Sequence, residues 1–175
     1  MGIYDHSDDI VKTIMDPSLY TLNGFKTIDN CETYWDRITL MAIRGLFNAN
    51  KQDLAYDILN TYSENRLLKD HVPYAIEAYP EGNQAHLAAE SALYARIALE
   101  GILGFEPEGF EKFKLHLSIP SKLDELNIEN FIYNNKSLSI SVCKELDSDN
   151  YLVSIPEINL YLKSLNNSDI IVNVK

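Results

Sequence analysis

Cysteine is scarce in this chain of 175 residues, which contains only Cys31 and Cys143. The two lie far apart in sequence, and neither belongs to a CxxC or other metal-ligand spacing. The pattern therefore predicts neither a disulfide framework nor a zinc site. No metal or other cofactor is expected, and a reducing cytoplasm is the simplest predicted location.

Basic residues are also few, since 15 Lys and Arg stand against 26 Asp and Glu and give a formal net charge of −11. Nucleic acids and anionic membrane surfaces are bound by clustered Lys and Arg, which here are scattered. Neither is an expected partner. No segment reaches the roughly 18 apolar residues of a membrane-spanning helix. The opening MGIYDHSDDIV lacks the basic start and apolar run of a secretion signal.

Two hydrophobic patterns divide the sequence near residue 110. Before that point apolar residues recur at helical spacing, and after it they alternate as in half-buried strands. The sequence therefore predicts an α+β chain. We expect a region of helical hairpins over residues 1–110 and a small antiparallel β-sheet or sandwich over residues 111–175.

Four helices are predicted, over residues 7–15, 32–48, 52–68 and 84–103. The second and third are joined by a short connection and should form an antiparallel hairpin. The fourth is apolar almost all round, which predicts burial on most sides. Its polar members then need partners, and the i, i+4 pairs His86 with Glu90 and Arg96 with Glu100 would supply some.

Beyond residue 110 the alternation predicts five or six strands. Turn residues separate them at Asn134-Asn135, at 147–150 and at 166–168. Alternating apolar residues place three of the strands around Phe113 to Ile119, Leu138 to Val142 and Ile158 to Leu162.

Carboxylates beside aromatic rings mark two loops as candidate sites. Asp29 and Glu32 lie in TIDNCETYWDR, and Glu77 and Glu81 lie in IEAYPEGNQ, close to Tyr79. A sugar offers C–H faces that stack on aromatic rings and hydroxyls that bond carboxylates. Glycoside hydrolysis commonly needs one carboxylic acid and one carboxylate, which act as acid and as base or nucleophile.

Each of these residues also has a purely structural interpretation. Asp29 or Asn30 would cap a helix that begins near Glu32, whose charge favours the helix dipole. Trp35, the only tryptophan, is either core or a sugar platform. His71 and His86 lack metal-ligand spacing, so hydrogen-bonded histidines are predicted rather than ligands.

The succession TIDNCETYWDRITLMAIRGL, a hairpin, IEAYPEGNQAHLAAESALYARIALEGILGFEP and an alternating tail resembles the C-terminal portion of six-hairpin (α/α)-barrel glycosidases. That group includes glucoamylases, glycogen-debranching glucosidases and α-L-rhamnosidases. The resemblance implies part of an (α/α)6 toroid with Glu77 as the general base. Should this chain hold a complete site by itself, Asp29 or Glu32 is the expected acid. The residues that it implies for a sugar pocket are Asp29, Asn30, Tyr34, Trp35, Tyr79 and His86.

One departure from that group is the number of hairpins, because the predicted helices of this chain make about two of the six. The general acid of such enzymes lies on one of the absent hairpins. The expected function is therefore a glycoside-hydrolase-like domain that binds carbohydrate but is incomplete as a catalyst alone. Self-association or a second chain would complete it. The alternative is a non-catalytic carbohydrate-binding or structural protein that self-associates.

Overall fold

The computed structural model describes residues 6–29, 31–68, 74–80 and 88–174. Helices and antiparallel sheets both occur, which confirms the α+β class. The chain divides into two compact units, Met1–Gly101 and Ile102–Lys175. Within the described residues, no helix combines the length and apolar character needed to cross a membrane.

In the described part of the first unit there are four α-helices and four strands of two residues each. The helices are α1 (Ser7–Ile14), α2 (Asp36–Asn48), α3 (Gln52–Arg66) and α4 (Ala88–Arg96). The strands are β1 (Tyr20–Thr21), β2 (Gly24–Phe25), β3 (Tyr34–Trp35) and β4 (Ala78–Tyr79). Antiparallel pairs form between β1 and β2 and between β3 and β4.

The predicted hairpin of α2 and α3 is confirmed. Their connection turns at Asn50, whose φ of 56° is left-handed and suits Asn. On α2 the buried residues Leu40, Ile43 and Phe47 follow the i, i+3, i+7 spacing of one helix face. The same spacing on α3 buries a second stripe, so the hydrophobic periodicity identified the contact between the two helices.

The predicted start of α2 is wrong by four residues. The helix begins at Asp36 rather than at Glu32, because Tyr34 and Trp35 are extended and pair with β4. Trp35 takes the N-cap position and makes no side-chain capping bond. Asp29 therefore does not cap this helix.

The prediction that the fourth helix is buried on most sides is wrong for the described residues of α4 and holds only at the C-terminal end of the predicted range, where Ile97, Ile102 and Leu103 are buried. Within α4 the only buried side chain is that of Glu90, while Ala88, Ala89, Ala92 and Ala95 are exposed. Alanine favours a helix through its propensity, whether or not that helix is covered. A six-residue π-helix, Ile97–Ile102, follows directly.

The predicted pair Arg96 with Glu100 is confirmed, and a third residue joins it. Arg96 Nε and Arg44 Nη1 each lie 2.5 Å from an oxygen of the Glu100 carboxylate. Burial alone would raise the pKa of Glu100, but the two guanidinium groups outweigh it and hold that pKa below its ordinary value.

Replacing Glu100 should therefore lower stability in a pH-dependent way. A carboxyl group with a depressed pKa stabilises the fold above its unfolded pKa and loses that contribution as the pH falls through its folded pKa. We expect Glu100→Gln to cost about 1 kcal/mol at neutral pH and nothing once the wild-type carboxylate is protonated. Urea unfolding of both proteins at neutral and acidic pH tests this. Glu64→Gln, on an exposed position of α3, is the control and should show no such difference.

The second unit is built from seven strands in two sheets. The strands are β5 (Glu106–Pro107), β6 (Lys112–His116), β7 (Glu125–Tyr133), β8 (Lys136–Lys144), β9 (Asn150–Ile155), β10 (Leu160–Leu165) and β11 (Asp169–Asn173). All pairings are antiparallel, in the orders β10-β9-β8-β7 and β11-β6-β5.

The predicted turn at Asn134-Asn135 is confirmed as the β7–β8 connection, with both residues at positive φ. The core of the second unit includes the fully buried residues Phe113, Leu115 and Val142. One predicted strand starts too early, because Ile158 belongs to the 3-10 turn Pro156–Ile158 and the strand begins at Leu160.

Candidate functional site

The structure brings together the two loops that the sequence marked as candidate sites. Strands β3 and β4 pair antiparallel, with Tyr34 opposite Tyr79 and Trp35 opposite Ala78. Glu77 immediately precedes β4. Residues far apart in the chain thus share one short ladder, which continues toward β2 through a bridge between Lys26 and Tyr34.

Three aromatic side chains of this ladder differ in accessibility. Tyr34 is buried, Tyr79 is half-buried, and Trp35 remains 37% exposed. The rings of Tyr34 and Tyr79 lie 6.4 Å apart at a tilt of 49°. Trp35 is thus not enclosed in the core, and part of its indole is available to a ligand.

The carboxylates of the two loops differ in their exposure to solvent. Glu77 is half-buried and lies directly before β4, next in sequence to Ala78, which pairs with Trp35. Asp29 is exposed, and the Glu32 side chain is 89% exposed and 3.8 Å from Lys26 Nζ. The geometry therefore gives Glu77 the more enclosed position. Other predicted residues, namely Asn30, His71, Glu81 and His86, lie outside the described residues.

Beneath the ladder lies a buried carboxylate that makes three hydrogen bonds. Asp36, the first residue of α2, accepts them from the Tyr62 hydroxyl at 2.9 Å, the Arg66 guanidinium at 2.7 Å and the backbone N–H of Ile76 at 2.8 Å. Asp36 and Arg66 are each 1% exposed. A charge this far from water is tolerated only when it is paired and hydrogen-bonded, as here.

The Arg66 guanidinium also reaches the ladder itself. Its Cζ lies 4.0 Å from the centre of the Tyr79 ring and 5.7 Å from that of Tyr62. At these distances a cation is attracted by the π-electrons of an aromatic face. Arg66 Nη1 donates to the carbonyl of Asn23 at 3.1 Å, so one side chain joins three segments.

Tyr62 is kept protonated by its surroundings. Burial raises the pKa of its phenol, and the nearby Asp36 carboxylate raises it further. A neutral phenol donates to Asp36 at any pH near neutrality. The hydroxyl therefore serves as a hydrogen-bond donor and not as a titrating group.

A second buried carboxylate joins α2 to α4. Glu90 is fully buried, and its Oε1 accepts from Arg37 Nε at 3.0 Å and from Arg37 Nη2 at 2.6 Å. Among the described residues, its Oε2 has no hydrogen-bond partner. The predicted pair of Glu90 with His86 stays untested, because His86 lies outside the described residues.

Sequence reasoning missed Asp36, Arg66 and Glu90 as parts of this region. Asp36 reads as an acidic residue of a first helical turn and Arg66 as a basic residue of a last turn, each of which is an ordinary way to complement a helix dipole. A buried Asp–Arg pair between two helices leaves no local spacing signal. The sequence indicates the pair only by an acidic residue near the start of the first hairpin helix and a basic residue near the end of the second.

The described residues contain no group of three or more His, Cys, Asp or Glu side chains arranged to hold a metal ion. The chain matches no family model, no curated protein and no solved structure. Among the described residues, the candidate site contains the half-buried Glu77 carboxylate, the accessible Trp35 indole and the two tyrosines of the ladder.

Proposed function

We propose that the first unit is a glycoside-hydrolase-like domain that binds carbohydrate at the β3–β4 ladder, with Glu77 as its general base. The observation that carries the proposal is the pairing of Tyr34–Trp35 with Ala78–Tyr79, which brings the exposed Trp35 opposite Ala78, the residue that follows Glu77. The indole face of Trp35 suits the C–H faces of a sugar, and a carboxylate suits its hydroxyls. The ancestry that we propose is the six-hairpin (α/α)-barrel group.

In this proposal the chain does not complete a catalytic site by itself. Hydrolysis needs a second carboxyl group at about 5–10 Å from the first. Asp29 and Glu32 are the candidates in the neighbouring loop, but both are exposed, whereas a carboxyl group that acts as a general acid is typically enclosed in an apolar environment. The missing acid and the remaining hairpins would come from another segment or another chain.

Replacement of Glu77 tests the assignment of the base. If this protein releases product from aryl glycosides or oligosaccharides, Glu77→Gln should reduce turnover by about 10³-fold while sugar binding is retained, since an amide cannot accept the proton. Glu64→Gln is the matched control, because it makes the same change at an exposed position of α3. Measurable turnover that is equal in Glu77→Gln and wild type would reject Glu77 as the base.

Sugar binding without turnover is a separate outcome of the same experiment. Titration of the wild-type protein with a panel of aryl glycosides and oligosaccharides, followed by Trp35 fluorescence, detects binding directly because Trp35 is the only tryptophan. Binding without product release supports an incomplete site. If the protein neither binds a sugar nor releases product, the carbohydrate proposal as a whole is rejected.

A second candidate function is a structural protein that self-associates, and an exposed apolar surface on α2 favours it. Ile38 and Met41 are 36% and 47% exposed, and Gly45 continues the same side of the helix. Apolar surface of this kind is typical of contacts between chains.

The test of self-association is light scattering across a dilution series. We expect the wild-type chain to form dimers or larger species, and Met41→Glu to shift them toward monomer because a buried carboxylate would oppose the contact. Asp53→Lys, which changes an exposed charge at the start of α3, should leave the distribution unchanged. A wild-type protein that is monomeric at every concentration would exclude this function.

A further inference from the structure

The proposed sugar site depends on a strand that has little hydrogen bonding of its own. Strands β3 and β4 pair over only two residues each. An isolated two-stranded ladder is marginally stable in water even when it is longer. Contacts from outside the ladder must therefore hold the segment that carries Glu77 and Tyr79.

Two contacts to that segment come from the hairpin of α2 and α3. Asp36 Oδ2 accepts a hydrogen bond from the backbone of Ile76, just before Glu77. The Arg66 guanidinium lies against the ring of Tyr79, the last residue of β4. The ion pair thus contacts the segment on both sides of Glu77 and Ala78, through one backbone bond and one ring contact.

We propose that Asp36 and Arg66 are positioning residues, which hold the Ile76–Tyr79 segment against Tyr34–Trp35 and thereby fix the Glu77 carboxylate and the Tyr79 ring at the sugar site. This inference rests on the proposed function, because it names the groups that shape that same site. Neither residue contacts the sugar or the reacting atoms in this assignment.

The chemistry of the pair explains why it is charged. An apolar pair of similar volume would fill the space but would leave the Ile76 N–H buried without an acceptor. A lysine in place of Arg66 would keep the charge opposite Asp36 but would lose the planar group that stacks on Tyr79. The pair therefore supplies directed contacts that simple packing does not.

Tyr62 provides a matched control within the same network. Its hydroxyl bonds Asp36 from α3, and its ring lies beside Arg66. Tyr62→Phe removes one hydrogen bond from Asp36 and leaves in place the Ile76 bond and the Tyr79 contact. A general weakening of the core would appear in this variant as well, whereas a loss of positioning would not.

Trp35 gives a local readout of the ladder, since it is the single tryptophan and lies opposite Ala78. In the full-length chain, we expect Arg66→Lys to raise acrylamide quenching of Trp35 about twofold, because the β4 segment opens locally, while far-UV circular dichroism stays at the wild-type level. Tyr79→Leu, which keeps the ion pair intact and so avoids an unpaired buried charge, should have the same effect. Tyr62→Phe should leave the quenching unchanged.

Two results would overturn the positioning role. One is wild-type quenching in both Arg66→Lys and Tyr79→Leu. The other is an equal rise in Tyr62→Phe, which would mean that any weakening of the core exposes Trp35.

Sugar binding forms an independent arm of the experiment, with the oligosaccharides of the panel as probes. If the wild-type protein binds one, Arg66→Lys should raise its Kd about tenfold through misplacement of Tyr79, and Tyr62→Phe should not. An unchanged Kd in Arg66→Lys would overturn the positioning role at the site. Absence of wild-type binding overturns the proposed function, while the quenching comparison still decides whether the pair holds the strand.

Discussion

Replacing Asp36 by alanine should unfold much of the first unit at denaturant concentrations that the wild-type protein withstands. The substitution leaves the Arg66 cation, which is 1% exposed, without its counter-ion and removes the acceptor of the Tyr62 hydroxyl and the Ile76 N–H. Removing one member of a buried ion pair typically costs about 3–5 kcal/mol. That is a large part of the roughly 5–15 kcal/mol that stabilises an ordinary domain.

Urea unfolding followed by Trp35 fluorescence measures this loss within the first unit. The control is the double variant Asp36→Ala with Arg66→Met, which also removes the unpaired cation. Because an uncompensated buried charge is the main cost, the double variant should be more stable than Asp36→Ala alone by about 1–2 kcal/mol. If Asp36→Ala lowers the free energy of unfolding by less than about 1 kcal/mol, water must reach the Arg66 guanidinium.

The features that the sequence predicted correctly are those encoded by local periodicity. The hairpin of α2 and α3 follows from apolar residues on one face of each helix, and the turn at Asn134-Asn135 from two residues that tolerate positive φ. The pair Arg96 with Glu100 was predictable because i, i+4 residues are neighbours on any helix. In each case the contacting residues are close in sequence, or the spacing of apolar residues along a helix shows which of its faces is buried.

The errors occur where a distant segment decides the local structure. Residues 32–35 fit a helical pattern, yet Tyr34 and Trp35 are extended because β4 supplies a strand partner from a distant part of the chain. For the fourth helix, apolar residues almost all round predicted burial, but four of those on α4 are alanines, which favour helix formation at exposed positions as well. Neither outcome can be predicted from the sequence of a single helix or strand, because each depends on what the rest of the chain packs against it.

The candidate site shows the same division. Glu77, Tyr79 and Trp35 were predicted as candidate residues because carboxylates lie beside aromatic rings near turn residues, and their functional role stays a prediction. Asp36 and Arg66, which contact the segment bearing Glu77, were not identified because each resembles a residue that complements a helix dipole. Their partnership depends on how α2 and α3 are aligned, and only the folded hairpin sets that alignment.

In the second unit, the largest expected effect comes from a substitution at Gly104. Its φ of 59° is left-handed, and a Cβ at this position would lie 2.2 Å from the carbonyl oxygen of His116 and 2.8 Å from the His116 Cβ. The N–H of His116 contacts the carbonyls of both Leu103 and Gly104, at 3.0 and 3.1 Å. The missing side chain thus allows the backbone of residues 103–104 to lie directly on β6.

Gly104→Ala should therefore destabilise the second unit by about 3 kcal/mol or more, since left-handed strain adds to a clash with backbone that no side-chain rotation relieves. Gly109→Ala is the matched control, because its φ of 115° is also unfavourable but nothing lies within 4 Å of the added Cβ. Urea unfolding followed by circular dichroism compares the two variants with wild type. Because alanine tolerates a φ of 59° better than one of 115°, a larger loss in Gly104→Ala must come from the clash at His116. Equal losses would mean that β6 moves away without cost, so that Gly104 is required only for its conformation.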